Sequence, residues 1–298
     1  MLGKTTRLIT KGLTLQRKQR RAPMCDFERI RYELKPCDII LVEGRSRVSE
    51  VIKVITQSPW SHAALYIGRL HDIEDSEIRE QVKQHCDCSP DSQLLVESEL
   101  GMGTVIRPIT VYEKEHLRIC RPRGLKYQDA QQIINYAISR VGVEYDVRQI
   151  FDLARFLFPW RLLPRRWRSS LFAKGAGPTT KTVCSTMIAE AFNNVQFPIL
   201  PLVKTNTADG RVQLFRRNPK LCAPRDFDYS PYFKIIKYPF IDYSHHASYR
   251  LLPWHGNIPL DNEEADLYLT PGESENSLVA IADNEIALPP KKPKGNPH

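Results

Sequence analysis

No stretch of this 298-residue chain is apolar for long. Runs such as Ile39–Val42 are far shorter than the roughly 20 residues a membrane-spanning helix needs. The N-terminus MLGKTTRLITKGLTLQRKQRRAP has neither an apolar core nor a small-residue cleavage site, so no secretory signal is expected. An even cysteine count is also missing. Seven cysteines and no export signal predict free thiols in a reducing, cytoplasmic setting. Cys86 and Cys88 stand beside His85, but no second ligand pair follows at zinc-site spacing. A solvated loop is expected there, with no metal and no organic cofactor. Internal repeats and recognised nucleic-acid modules are absent too, so nucleic acid is not an expected partner.

What is present is positive charge, unevenly spread. The net charge is +9. Residues 261–298 hold eight acids against three lysines, which leaves +14 on the rest of the chain. A body that basic is drawn to anionic surfaces. Composition divides the chain into a basic flexible arm (1–24), a central domain (25–240) and an irregular, largely disordered acidic tail (241–298).

The central domain reads as α+β. CDIILVEG is an apolar strand closed by Gly44. SRVSEVIKVITQ (46–57) sets Val48, Val51, Ile52 and Ile55 at helical spacing. SHAALYIGR is a strand with His62, Ala64 and Tyr66 on one face. A polar loop is expected over 71–92, then the strand LLVESEL. TVIRPITVY and HLRICRPR continue the strand series. Gln128–Arg140 and Thr179–Asn193 read as helices. After Ala208 the chain is Pro-rich, with an extra strand pair or an extended wrap.

Three residues carry candidate chemistry. Cys184, in TTKTVCSTMIAEAF, falls in the first turn of an apolar-striped helix capped by Thr180 or Thr182. There the helix dipole and free N–H groups favour a thiolate and can hold an oxyanion. A buried structural cysteine is the alternative. His62 suits a general base if a nucleophile is near, and otherwise a structural strand histidine. Glu97 on the neighbouring strand can orient the imidazole. Glu99 points the same way and is its rival; a solvated charge is the alternative for either.

The ordered set CDIILVEG, WSHAALYIG, LLVESEL, VGVEYD, TVCSTMIAEAF resembles the circularly permuted NlpC-type papain-like amidases, the YiiX/YaeF-like group related to lecithin–retinol acyltransferase. In permuted members the His strand precedes the Cys helix, as it does here over residues 34–195. The resemblance implies a papain-like antiparallel sheet or small barrel with packed helices. It implies Cys184 as nucleophile, His62 as base and Glu97 as the orienting acid. It assigns Tyr145 and Ser185 to substrate or oxyanion contacts, although a packed Tyr145 with a satisfied hydroxyl fits equally well. Asp38 matches the Gly-Asp strand start of the group, with Cys37 in place of the glycine, and reads as structural.

The segment 147–178 is long for that pattern. It alternates aromatics with arginine, and Arg155, Phe158, Trp160, Arg165, Arg166 and Trp167 suit the headgroup layer of an anionic membrane. A helical hairpin packed on the core is the other reading. The function expected is a cysteine-dependent hydrolase or acyltransferase acting on an amide, isopeptide or ester bond of a lipid, acylated or peptide substrate. Its site is cytoplasmic, with peripheral contact at the inner membrane surface. The rival is a catalytically silent lipid- or peptide-binding module docked on anionic membranes.

Overall fold

The computed structural model describes residues 22–99, 102–145, 181–182, 184–205 and 210–241. The arm up to residue 21, the aromatic-basic insert 147–178 and the acidic tail from residue 242 lie outside the described residues, and so do the expectations attached to them.

The fold is α+β, as the alternation of strand and helix patterns predicts. In chain order the elements are α1 (Phe27–Glu33), β1 (Ile39–Glu43), α2 (Arg47–Thr56), β2 (His62–Gly68), α3 (Ser76–His85), β3 (Leu94–Glu99), β4 (Gly103–Pro108), β5 (His116–Pro122), α4 (Tyr127–Ser139), β6 (Glu144–Tyr145), β7 (Lys181–Thr182), α5 (Cys184–Asn194), β8 (Leu202–Thr205), β9 (Val212–Phe215), α6 (Pro224–Tyr229) and β10 (Phe233–Ile236). Six strands form one antiparallel sheet in the order β10-β5-β1-β2-β3-β4. Two separate ribbons accompany it, β6-β7 and β8-β9.

The sheet is covered on both faces because its central strands carry apolar residues on both. Ile39, Leu41, Leu65 and Val96 face one layer with Ile133 and Ile134 of α4 and Met187, Ile188 and Phe192 of α5. Ile40, Val42, Ala64, Leu95 and Ile119 face the other, with Phe27 and Ile30 of α1. Strands buried on both sides read as continuous apolar runs, which is why CDIILVEG is legible as a strand without alternation.

The structure departs from the sequence reading at several elements. The expected loop over 71–92 contains α3, whose start is set by Asp75: its carboxylate accepts from the N–H groups of Glu77 and Ile78. The helix expected from Thr179 starts at Cys184. Lys181–Thr182 is extended instead and pairs in parallel with Glu144–Tyr145. Val51, one of the four apolar residues at helical spacing, is about half exposed. Cys86 and Cys88 lie side by side after α3, with Cα atoms 5.2 Å apart. Among the described residues Cys25, Cys37, Cys120, Cys184 and Cys222 are free, and all five are buried.

Candidate active site

The site is built at one end of β2 and β3. Gly44 ends the turn after β1, and its N–H donates to the Ser61 hydroxyl at 3.0 Å. A side chain at position 44 would meet the Ser49 and Ser61 hydroxyls at 2.5 and 2.9 Å. That close approach, rather than backbone conformation, is what requires glycine. Ser61 is thus fixed immediately before His62. Trp60, 1% exposed, anchors the same approach. Its indole N–H donates to Asp228 at 3.3 Å, and Arg118 lies over its ring.

The β2–β3 register sets Leu65 opposite Val96. Glu97 therefore lies across from Ala64, one same-face step from His62. The imidazole Nε2 is 2.7 Å from Glu97 Oε2. Glu99, the rival, is engaged elsewhere, in an ion pair with Arg107. Glu97 is fully buried. The Tyr112 hydroxyl also donates to Glu97 Oε2, and Arg107 Nε stands 3.9 Å from Oε1. Burial alone would raise the Glu97 carboxyl. The His62 hydrogen bond and charge, with Tyr112 and Arg107, outweigh it and hold the group below its ordinary value.

The Cys184 thiol is near enough to the His62 ring for each group to shift the titration of the other. Since Nε2 is taken by Glu97, Nδ1 is the nitrogen left for sulfur. The backbone N–H groups of Ala63 and Ser185 also favour the charged form of the sulfur. Burial pushes the thiol up, but the imidazolium charge, its hydrogen bond and these two N–H groups prevail, so Cys184 sits below the ordinary thiol value. His62 moves the other way. Burial disfavours its cation, and the charges and hydrogen bonds of Cys184 and Glu97 raise it well above the usual imidazole value. The arrangement favours a thiolate–imidazolium pair. Cys184 keeps 5% of its surface, and the His62 side chain 19%.

Ser185 contributes less than its side chain suggested. Its hydroxyl donates to the Cys222 carbonyl at 2.6 Å. Tyr145 is placed by its backbone beside Thr182, two residues before Cys184. Arg155, Phe158, Trp160, Arg165, Arg166 and Trp167 fall outside the described residues.

Tyr112 was not singled out in the sequence. TVIRPITVY reads as one strand, yet β4 stops at Pro108 and a short 3₁₀ turn, Ile109–Tyr112, follows. Proline cannot donate to the ladder, so Pro108 was the available signal that the segment turns. Among the described residues no group of three or more His, Cys, Asp or Glu could hold a metal ion, and no helix is long and apolar enough to cross a membrane.

The contrast between the two acids is testable. In Glu97→Gln, alkylation of Cys184 near pH 6 should slow about 10-fold, because the imidazolium loses its buried counter-charge. Glu99→Gln should stay within about 2-fold of the parent. Mass-spectrometric labelling rates decide it, and equal slowing by both variants would break the assignment to Glu97.

No family model matches the chain, and neither does any curated protein. Among solved structures, the metalloprotein YiiX of Escherichia coli O157:H7 (DUF1105) superposes with a TM-score of 0.43 at 13% identity, covering 69% of this chain and 98% of that one.

Proposed function

We propose that the protein is a cysteine-dependent hydrolase or acyltransferase with a permuted papain-like arrangement, acting on an amide, isopeptide or ester bond. The observation that carries this reading is the continuous chain Cys184–His62–Glu97, in which a buried carboxylate fixes the ring that meets the thiol. A nucleophile, a base and an orienting acid in that sequence of contacts is the working unit of acyl transfer.

In the proposed reaction the Cys184 thiolate attacks the carbonyl carbon, and the π electrons move to oxygen. In this reading the first N–H groups of α5, with the Ala63 N–H, stabilise that oxyanion. Collapse expels the amine or alcohol, which takes its proton from His62. The neutral ring then removes a proton from water or from an acceptor nucleophile, which cleaves the thioester and regenerates the thiolate. Glu97 keeps its proton count throughout and holds Nε2–H. We place the substrate among lipids and acylated molecules, and the protein at an anionic membrane surface. The basic balance of the chain outside its acidic tail, and the aromatic-arginine segment 147–178, support that placement.

An acyl-thioester is the discriminating intermediate. Incubating the protein with p-nitrophenyl esters of graded chain length should leave one acyl group on the Cys184 peptide. Hydroxylamine should remove it, and Cys184→Ala should not acquire it. A silent binding module would bind these esters without any mass gain at Cys184, and that result would end the enzymatic reading.

A further inference from the structure

A cavity of about 320 Å³ lies between the C-terminal half of α5 and the base of the β8–β9 ribbon. Neither His62, Glu97 nor Cys184 lines it. Its volume falls in the range of small-molecule sites. The apolar wall comes from Ala189 on α5, from Phe197, Ile199 and Leu200 after it, and from Leu214 and Phe215 on β9.

The ribbon that closes this cavity is unusual in two ways. Its strands pair only with each other, and all eight strand residues are exposed. Five of the eight are large and apolar: Leu202, Val203, Val212, Leu214 and Phe215, each 44–63% exposed. Apolar surface of this density beside a cavity marks a binding region more often than a solvated face.

Charge narrows the occupant. Asp226, the acid in the wall, is already balanced by Arg217 at 3.0 Å and by the Ala223 N–H at 3.0 Å. Lys204 stands 5.4 Å from the centre of the Phe215 ring. Arg216 also lines the cavity. It is exposed and has no ion pair among the described residues. The cavity thus joins an apolar wall, flanked by the polar side chains of Asn193, Gln196 and Asn218, to the exposed guanidinium of Arg216.

We propose that this cavity binds a single-chain carboxylate amphiphile, a fatty acid or a compound of that form, with the chain against Leu214 and Phe215 and the carboxylate at Arg216. Cys222, in the cavity wall, accepts the Ser185 hydroxyl through its carbonyl. An occupant therefore touches the residue that holds the start of α5. The inference extends the acyl-transfer reading to the kind of molecule held nearby, but binding does not require a working thiol.

Calorimetry on the full chain with decanoate and 1-decanol tests it. Decanoate should bind saturably at one site below its micellar concentration, about 3- to 10-fold tighter than decanol. Arg216→Ala should bring decanoate down to the level of decanol. Leu214→Glu, at a position 56% exposed, should weaken both ligands. Cys184→Ala should change neither, which separates this outcome from failure of the enzymatic reading. Absence of saturable binding, or binding indifferent to both Arg216→Ala and Leu214→Glu, overturns the proposal. So does ribbon-dependent binding to phosphatidylglycerol vesicles that decanoate does not compete with, which would assign the surface to a bilayer.

Discussion

At pH 6, iodoacetamide should alkylate Cys184 about 100-fold faster than Cys25, Cys37, Cys120 or Cys222. The comparison is internally controlled, because all five thiols are buried. Burial raises Cys25, Cys37, Cys120 and Cys222 above the ordinary thiol value. Cys184 is lowered although burial acts on it too, because the imidazolium charge and hydrogen bond of His62 prevail. An unperturbed thiol of pKa about 8.5 is roughly 0.3% thiolate at pH 6, so full ionisation gains about 300-fold over such a thiol and more over a raised one, from which the lower nucleophilicity of a low-pKa thiolate subtracts. The sign with pH follows from both shifts. The ion pair exists above the lowered value of Cys184 and below the raised value of His62. As pH falls through the Cys184 value the sulfur protonates and labelling slows. At alkaline pH the imidazolium is lost but the thiolate stays, so a neutral reagent sees no decline.

His62→Ala is the decisive companion. It removes the cation and the hydrogen bond and leaves burial opposed only by the N–H groups of Ala63 and Ser185. The Cys184 labelling profile should move to alkaline pH, and the rate at pH 6 should fall by about 100-fold. Uniform labelling of every accessible thiol in the parent, or an unchanged profile in His62→Ala, would leave the thiol without a functional partner. Binding of decanoate gives no escape from that result, since it concerns different residues.

The parts of this site legible in the sequence are those set by local periodicity. His62 and Glu97 sit on strands whose apolar pattern is strong, and period-2 alternation fixes which face each occupies. Their pairing then follows from two strands being neighbours. Glu97 and Glu99 share a face, so alternation could not choose between them. The choice is made by Arg107, which lies on β4 and engages Glu99. That is a tertiary contact, and nothing in the spacing of LLVESEL encodes it. Tyr112 was hidden for a similar reason. Its route to Glu97 depends on β4 ending at Pro108 and turning back, whereas hydrophobic pattern alone continues the strand. The start of α5 was misplaced because Thr180 and Thr182 look like helix caps. In the structure Thr182 belongs to β7. Threonine serves caps and strands alike, and the partner strand Glu144–Tyr145 lies almost 40 residues away in sequence. The β8–β9 ribbon was the least legible element. Its apolar residues show no protected face, because both faces meet solvent.

Replacing Asp38 by alanine should cost about 3 kcal/mol of folding stability, read from the urea midpoint at constant slope. Asp38 is 1% exposed. Its carboxylate takes two bonds from Arg121, at 2.9 and 2.7 Å, and one from the Lys35 N–H at 2.8 Å. These contacts tie the turn before β1 to β5, and β1 lies beside the strand that carries His62. The turn itself is demanding, since Cys37 adopts φ 70°, the left-handed region where glycine is easier. Truncation leaves a guanidinium and an N–H without their acceptor, which is why the cost exceeds that of an ordinary surface ion pair. Arg121→Met in the Asp38→Ala background should recover part of the loss, whereas simple additivity would show the two groups to be energetically independent. The acid limb separates Asp38 from Glu97. Burial raises the Asp38 carboxyl despite Arg121, so the folded protein takes up this proton more readily than the unfolded chain, and acidification through that value does not cost stability. Glu97 is lowered. Its contribution is present above the unfolded value of about 4.3 and is lost as pH falls through the folded one. Glu97→Gln should therefore flatten the decline of stability below pH 5, while Asp38→Ala should lower the whole curve and leave that decline in place. A flattened acid limb in Asp38→Ala instead would reverse the roles given to these two buried carboxylates.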